Sequence, residues 1–557
     1  MELKKWWHNA IGYQIYPKSF QDTNGDGIGD IQGIIQHLDD LKELGVNIIW
    51  VSPINESPMM DHGYDISDYY KIDPSFGSNE DLEVLIKEAD KRGIKILMDL
   101  VINHTSDQHE WFQKAIQNLD SKYANYYIIR EGDENGNPPN NWRSIFGGSA
   151  WGKIEGTNKY YLHLFTVGQP DLNWENPELR EKLYEMVNYW LDKGLGGFRI
   201  DAISHIKKDW TYENLPPDGP DGLVTAWKYY RNAEGIEELL HELNESTFKK
   251  YDSFTIGEID AETPEQIEQF IGENGCFSTY FDFFHNKYCI RYEQYAKDPI
   301  EMVEEIKKEL FARQELIKKS GGLLTNFLEN HDKPRAPERF IPKKFINFYS
   351  QSLLGTIYFF LRGIPVIYQG QEIGMTDFPK ESIDGYIDLA THNNYKELLE
   401  KGMSEEDALR LINIDCRENS RTPMQWDDSE NGGFTDGEPW FAVNPNYKTL
   451  NYKNQKEDPE SLLNYYKKLG ALRKQEDFES TFIYGETIQL YSEIKGCLAY
   501  QRRLNDKVIT MIANWTPNVM EIPMDKPINE LLLNNYKTLH VDQESMVFQP
   551  FQVIVFQ

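Results

Sequence analysis

Gly196-Gly-Phe-Arg-Ile-Asp201 is a short apolar run that ends on an acid, and the chain uses the same ending twice more. Ser253-Phe-Thr-Ile-Gly-Glu258 closes on Glu258, and Leu323-Leu-Thr-Asn-Phe-Leu-Glu-Asn-His-Asp332 runs out on Asp332. Acids placed where buried strands stop, with helical crossovers between them, predict one cleft floored by several strand ends. Three carboxylates converging there suit cleavage of a glycosidic bond. One attacks, one donates a proton, and the third grips a sugar hydroxyl.

The flanking sequence keeps the same rhythm. Ile11–Tyr16 predicts a strand, Gly33–Leu44 a helix, Asn47–Val51 a strand, Asp81–Arg92 a helix and Lys95–Val101 a strand. A helix over 177–193 and strands at Gly196–Asp201, Phe254–Glu258, Phe277–Phe281, Leu323–Glu329 and Ile364–Tyr368 bring the strands to eight. Strands this apolar on both faces want helices on one side and core on the other. The expectation is an α/β fold, a (β/α)8 TIM barrel formed by residues 1–103 and 170–480.

Between 104 and 169 the periodicity stops and Asn, Gly, Tyr and Trp accumulate, as in Glu131-Gly-Asp-Glu-Asn-Gly-Asn-Pro-Pro-Asn140. So long a connection needs its own small core, which predicts a subdomain inserted after the third strand. From Thr481 to Gln557, runs such as Lys507–Ala513 and Met546–Phe556 predict a C-terminal antiparallel β domain of sandwich type.

The 557 residues exceed the roughly 250–300 that one ordinary core serves. A formal charge of -32 argues against nucleic acid and anionic membranes as partners, and against an anion as the main substrate. The scattered Cys276, Cys289, Cys416 and Cys497 fit reduced thiols better than a disulfide framework. Met1-Glu-Leu-Lys-Lys-Trp-Trp lacks an apolar leader, and no run reaches membrane-spanning length. The expectation is a cytoplasmic enzyme acting on small molecules, a monomer or weak homo-oligomer.

Arg199 stands two residues before Asp201, so strand alternation puts both on one face. There it keeps the acid ionised, as a nucleophile requires; a structural pair capping the strand reads equally well. Glu258 as proton donor needs a raised pKa, which the charge of Asp201 supplies. Asp332, beside His331, is assigned to gripping the reacting ring. His104 begins the insertion, and Asp61-His-Gly-Tyr64 follows the strand end at Val51-Ser-Pro53 with a carboxylate and an aromatic face. Buried sugar hydroxyls need such partners, because each one left unpaired costs free energy.

Asp22-Thr-Asn24-Gly-Asp26-Gly-Ile28-Gly-Asp30 repeats an oxygen ligand at every second residue through glycines. A tight loop of this kind predicts a structural Ca²⁺ held by Asp22, Asn24, Asp26, Ile28 and Asp30. Gly33 stands where a helix-loop-helix calcium site carries its bidentate Glu. The alternative is an Asx-turn loop of hydrogen-bonded acids.

Asp99-Leu-Val-Ile-Asn-His104, Gly197-Phe-Arg-Ile-Asp201, Gly257-Glu258, Glu329-Asn-His-Asp332 and Gly363-Ile-Pro-Val-Ile-Tyr-Gln-Gly-Gln-Glu372 occur in order. With them the chain resembles the α-amylase superfamily of glycoside hydrolases over essentially its whole length. Gln169-Pro-Asp-Leu-Asn173 and Arg421-Thr-Pro-Met-Gln-Trp426 narrow the resemblance to the oligo-1,6-glucosidase and α-glucosidase group.

The resemblance implies Asp201 as nucleophile, Glu258 as acid/base and Asp332 as transition-state stabiliser. Asp61, Tyr64, His104, Arg199, His331 and Arg417 would surround the non-reducing glucose, and Phe165, Ala202 and Lys333 join the substrate-binding set. A pair such as Asp61 and Arg417 would bind the glucose 4-OH and close the pocket, making the enzyme exo-acting. The implied activity is a retaining α-glucosidase on isomaltose-type and other short α-glucosides, with transglycosylation or sucrose hydrolysis beside it. A sucrose isomerase or glucosyltransferase and a trehalose-6-phosphate hydrolase are the alternatives.

The chain departs from its relatives at several points. Ala202 replaces the Val or Thr common after the nucleophile, which broadens linkage or acceptor tolerance. Lys333 and Glu329 are unusual at their positions, and Gln371 replaces a Glu. Lys333-Pro-Arg-Ala-Pro-Glu-Arg-Phe-Ile-Pro-Lys-Lys344 lacks the Arg-Leu-Asp-Arg type of run associated with sucrose isomerases.

Overall fold

Gly197 opens the strand that ends on Asp201 with φ 147°, and a Cβ there would meet the Phe254 carbonyl oxygen at 1.8 Å. Only glycine lets the two neighbouring strands approach so closely. The computed structural model describes residues 5–259, 263–281, 283–524, 528–542 and 544–557. Met1 to Lys4, part of the N-terminal stretch read above, lie outside them.

The strands are β1 (Gly12–Ile15), β2 (Ile48–Val51), β3 (Lys95–Val101), β4 (Gly197–Asp201), β5 (Phe254–Gly257), β6 (Thr279–Tyr280), β7 (Leu324–Asn326) and β8 (Gly363–Tyr368). They form one parallel sheet in the order β6-β5-β4-β3-β2-β1-β8-β7. A parallel bridge between Phe281 and Thr325 joins the two edges and closes the barrel. All eight lie where the apolar runs predicted them, most of them shorter. The seventh stops at Asn326 rather than Glu329, because Phe327 packs into the barrel interior and Glu329 turns to a buried Arg335.

The helix expected over Gly33–Leu44 is two helices, Ile31–Gln36 and Leu38–Glu43. The break falls at His37, whose ring stacks on Trp426 at 3.5 Å and meets Asp40 Oδ2 at 2.9 Å. The first begins early because the Asp30 side chain accepts from the Gly33 N–H, satisfying an otherwise orphaned donor. Asn79–Lys91 starts on a capping box between Ser78 and Asp81, and Pro177–Asp192 starts on Asn176.

Inside the barrel, Trp7, Ile48, Trp50, Leu97, Phe254, Ile256, Ile364 and Val366 fill the lower part. Gln14 on β1, Asp99 on β3 and Arg199 on β4 are buried polar residues of the same barrel. The parallel register of β3 and β4 pairs Asp99 with Arg199. That register puts a carboxylate beside a guanidinium.

Residues 104–169 contain an antiparallel sheet of Ile129–Glu131, Lys159–Leu162 and Trp151–Lys153. Its core is not wholly its own. Trp142, Trp151, Leu162 and Leu164 pack with Tyr212, Val224, Ala226 and Tyr230 from the excursion after β4.

At the C-terminal end, the helix Glu476–Tyr484 runs through the boundary expected at Thr481, and the sheet begins at Glu486. A five-stranded and a three-stranded antiparallel sheet enclose Cys497, Ala499, Ile512, Ile522, Met546, Phe548 and Ile554. The alternate residues Leu498, Tyr500, Met511, Val553 and Val555 join the main core. All four cysteines are free and buried. Among the described residues no helix is long and apolar enough to cross a membrane.

Candidate active site

Arg199, 2% exposed, is the hub of the cleft floor. Nη1 donates to Asp99 Oδ1 at 2.8 Å and to Asp201 Oδ1 at 2.7 Å, and Nη2 lies 2.9 Å from Glu258 Oε2. A planar fork can hold several carboxylates in one plane, which a lysine cannot. Asp99 is fixed in turn by Trp50 Nε1 and Tyr64 Oη, each donating to Oδ2 at 3.1 Å. Ala202 turns into the left-handed region at φ 44°, and its N–H donates to Glu258 Oε2 at 2.8 Å. That conformation costs on the order of 1–3 kcal/mol, and a β-branched residue would suffer more than alanine.

Asp332 is held from above. Arg421 Nη2 donates to Asp332 Oδ1 at 2.9 Å and Arg417 Nη1 at 3.3 Å. His331 Nε2 lies 3.2 Å from Asp332 Oδ2 and 2.7 Å from Tyr64 Oη. Gln14 Nε2 donates to His331 Nδ1 at 2.7 Å, so the proton of the neutral ring sits on Nε2. The Tyr64 and His331 rings stack at 5.4 Å. Tyr64 thereby links the Asp332 side of the cleft to Asp99 and Arg199.

Arg417 bridges Asp61 and Asp388 behind them. Nη2 donates to Asp61 Oδ1 at 2.9 Å and to Asp388 Oδ1 at 2.8 Å, and Nε donates to Asp388 Oδ2 at 2.6 Å. Gln169 Nε2 donates to Asp61 Oδ2 at 3.0 Å and lies 3.1 Å from His104 Nε2. The Phe165 ring stands 5.0 Å from His104.

One cavity of about 1030 Å³ is lined by Asp61, Tyr64, His104, Phe165, Asp201, Ala202, Glu258, Asp332, Lys333 and Arg417. Arg199 and His331 stand behind this wall, in contact with it. The structure therefore brings the whole predicted catalytic and substrate-binding set together.

Six carboxyl groups here face Arg199, Arg417 and Arg421, so negative charge is in excess. Burial pushes Glu258 up to about 8 and Asp201 up to about 7, with Arg199 opposing both. Glu258 is thus the first of the pair to take a proton. Burial works against the charge of Asp332, yet the Arg417 and Arg421 guanidiniums hold it well below the usual carboxylate range. Burial also lowers His104 to about 4 and His331 to about 3, so both imidazoles are neutral near pH 7. The 3.2 Å approach of His331 Nε2 to Asp332 is accordingly not an ion pair, and Nε2 has its hydrogen-bond partner in Tyr64 Oη at 2.7 Å. The arrangement offers a nucleophile, a proton donor and a fixed anion around a space walled by hydrogen-bonding groups.

Several residues of this site carried no role in the sequence. Asp99, Gln169 and Arg421 lay inside quoted motifs, and their partners are what reveal their use. Asp388, in Tyr386-Ile-Asp-Leu, has no sequence signal at all. Glu329 is explained by Arg335, whose Nη1 donates to it at 3.1 Å with both side chains fully buried. Arg335 is thereby turned away from the cavity.

The Asp22–Asp30 loop lies apart from the cavity as a chain of Asx turns. Asp22 accepts four hydrogen bonds, from the Asn24, Gly25 and Gly27 amides and from Thr435 Oγ1. Asn24 and Asp26 each accept one amide, and Asp30 accepts from Thr23 and Gly33. A carboxylate has about four acceptor sites, so Asp22 is filled whereas Asn24, Asp26 and Asp30 keep capacity. Among the described residues no three His, Cys, Asp or Glu side chains are gathered to hold a metal ion, and Asp22 would have to release a bond to join one.

Residues 14–481 match the model of the α-amylase catalytic domain. An oligo-1,6-glucosidase from Bacillus cereus is 42% identical over 570 aligned positions, covering 100% of this chain and 99% of that protein. A crystal structure of a trehalose-6-phosphate hydrolase variant from Bacillus licheniformis superposes with a TM-score of 0.91 at 38% identity, covering 99% of each chain. A variant of the isomaltulose synthase from Erwinia rhapontici NX5, in complex with its natural substrate sucrose, gives 0.90 at 35% identity, covering 100% of this chain and 99% of the other.

Proposed function

The chain belongs to the α-amylase catalytic-domain family of glycoside hydrolases, and from that we propose an exo-acting, retaining α-glucosidase that releases glucose from isomaltose-type and other short α-glucosides. The single observation that carries this reading is the Arg199 fork, which joins Asp201 and Glu258 through one guanidinium. Carboxyls so linked suit the close spacing of about 5–5.5 Å that a nucleophile and acid/base pair needs.

In the first step Asp201 attacks the anomeric carbon while protonated Glu258 gives its proton to the leaving oxygen. The order of proton uptake favours this division, because Glu258 is charged last as pH rises. In the second step the same Glu258, now ionised, takes a proton from water, which displaces Asp201 and frees glucose with its configuration retained. Asp332 is assigned to the hydroxyls of the reacting ring. The Asp61–Arg417 pair, backed by Asp388 and Gln169, would hold the 4-OH and block longer chains from passing, which supports exo-action.

We also propose a structural Ca²⁺ on the Asp22–Asp30 loop, held by Asn24, Asp26, the Ile28 carbonyl and Asp30, with Asp22 joining when Thr435 rotates away. It would brace the loop before the first barrel helix. Four free, buried thiols support a reducing, cytoplasmic setting.

Rates measured side by side on isomaltose, maltose, sucrose, trehalose and trehalose 6-phosphate test the reading. Isomaltose is expected to be the best substrate, with α-glucose as the first product. Turnover confined to trehalose 6-phosphate, or conversion of sucrose to an isomer without glucose release, overturns it.

A further inference from the structure

Arg417 stands at the end of an excursion that leaves the barrel after β8. The chain makes two helices there, Leu389–Glu400 and Glu405–Asp415, and returns to the cavity wall at Cys416 and Arg417. Asp388 at the start of this hairpin and Arg417 at its end hold each other through bonds of 2.6 and 2.8 Å. That pair closes the hairpin on itself. It does not fix where the hairpin sits over the cavity.

The contacts of Arg417 to Asp61 at 2.9 Å and to Asp332 at 3.3 Å do cross from the hairpin to barrel loops. They depend on where its backbone is set. On one side of Arg417 the chain is anchored at Ser420, whose carbonyl accepts from Tyr368 Oη at 2.9 Å and from Arg335 Nη2 at 3.3 Å.

The anchor on the other side is Arg291, in the segment after β6, which lines the same cavity. Its Nη2 donates to the Ile414 carbonyl at 2.6 Å and to Asp377 Oδ2 at 3.0 Å. Ile414 lies in the last turn of the helix Glu405–Asp415, where the final carbonyls lack helical partners and favour a cation. Asp377 is buried and fixed in turn by the Arg335 N–H, which donates to Oδ1 at 2.8 Å. Beside Arg291, Tyr292 Oη donates to Asp415 Oδ1 at 3.2 Å, and Arg417 follows two residues after Asp415. One guanidinium and one phenol thus tie the last turn of the hairpin to the barrel's own loops.

We propose that Arg291, assisted by Tyr292, is a positioning residue for Arg417, setting the hairpin's end so that the Arg417 guanidinium reaches its sugar hydroxyl. The inference rests on the α-glucosidase reading above, in which Asp61 and Arg417 hold the glucose 4-OH.

The test compares kcat/KM for p-nitrophenyl α-glucoside with that for its 4-deoxy analogue. A site built to bond a hydroxyl rejects the analogue lacking it, so the wild-type ratio should be high. Arg291→Lys keeps a cation beside Asp377 but, on a shorter reach, gives up the Ile414 carbonyl. It should lower the ratio about fivefold. Tyr292→Phe, which removes only the bond to Asp415, should lower it about twofold and decides the matter if the lysine variant does not fold. A merely structural role would slow both substrates equally, and a wild-type ratio in the deciding variant overturns the proposal. Wild-type protein that does not distinguish the two substrates fails the Asp61–Arg417 reading itself, a result separate from an unchanged ratio in the variant.

Discussion

Arg199→Lys keeps the positive charge at the cleft floor and removes the fork. Arg199 now makes close contacts to Asp99 at 2.8 Å, Asp201 at 2.7 Å and Glu258 at 2.9 Å. A lysine ammonium, on a shorter reach and without a plane, keeps about one of these. Each lost charge-assisted hydrogen bond is worth about 1.5–3 kcal/mol, so two of them amount to about 3–6 kcal/mol. If that loss falls on the transition state, kcat/KM drops by about 10²–10⁴.

The pH profile supplies an independent reading of the same variant. Wild-type activity needs Asp201 ionised and Glu258 protonated, so it falls as pH drops below about 7 and as it rises through about 8. Removing donors from both carboxylates raises both values, so the whole bell moves to higher pH as it shrinks. The assay is initial glucose release from isomaltose across the pH range, with the melting temperature followed alongside. A variant within about threefold of wild type, with both limbs unmoved, refutes the claim that the fork organises the pair.

Further outcomes follow from the same geometry. Glu258→Gln should lose about 10²–10⁴ in rate on isomaltose yet give a burst of p-nitrophenol from the aryl glucoside, whose leaving group needs no proton; equal losses on both would remove Glu258 as the acid. Ala202→Thr should shift the ratio of kcat/KM for maltose over isomaltose by about 10-fold, because a methyl-scale change at the cavity wall is worth about 1–3 kcal/mol; an unchanged ratio shows Ala202 stands clear of the leaving sugar. Metal-stripped protein should melt lower than calcium-loaded protein, and Asp26→Ala should abolish the difference; identical melting curves exclude the proposed cation.

Much of this architecture was legible because its signals are local. Each barrel strand is a short, largely apolar run; Asp201 and Glu258 stand where such runs stop, and Asp332 follows beyond the end of β7 at Asn326. Long-range partners were not legible. Nothing in Tyr386-Ile-Asp-Leu announces that Asp388 will grip Arg417, since the contact exists only once the segment after β8 folds over the cavity. The shared core of Trp142 and Tyr230 escaped for the same reason, as its halves lie on either side of β4. The His37 break was hidden because stacking on Trp426, a tertiary contact, outweighs local helix periodicity. Glu329 looked anomalous beside its relatives and became ordinary once Arg335 was seen buried against it.

A fluorinated glucosyl fluoride that reacts readily but is released slowly, followed by digestion and mass spectrometry, tests the central claim most directly. The account predicts one glucosyl unit covalently attached to the peptide carrying Asp201, and none in Asp201→Ala. A label on another carboxylate, or none while glucose is still turned over, contradicts it.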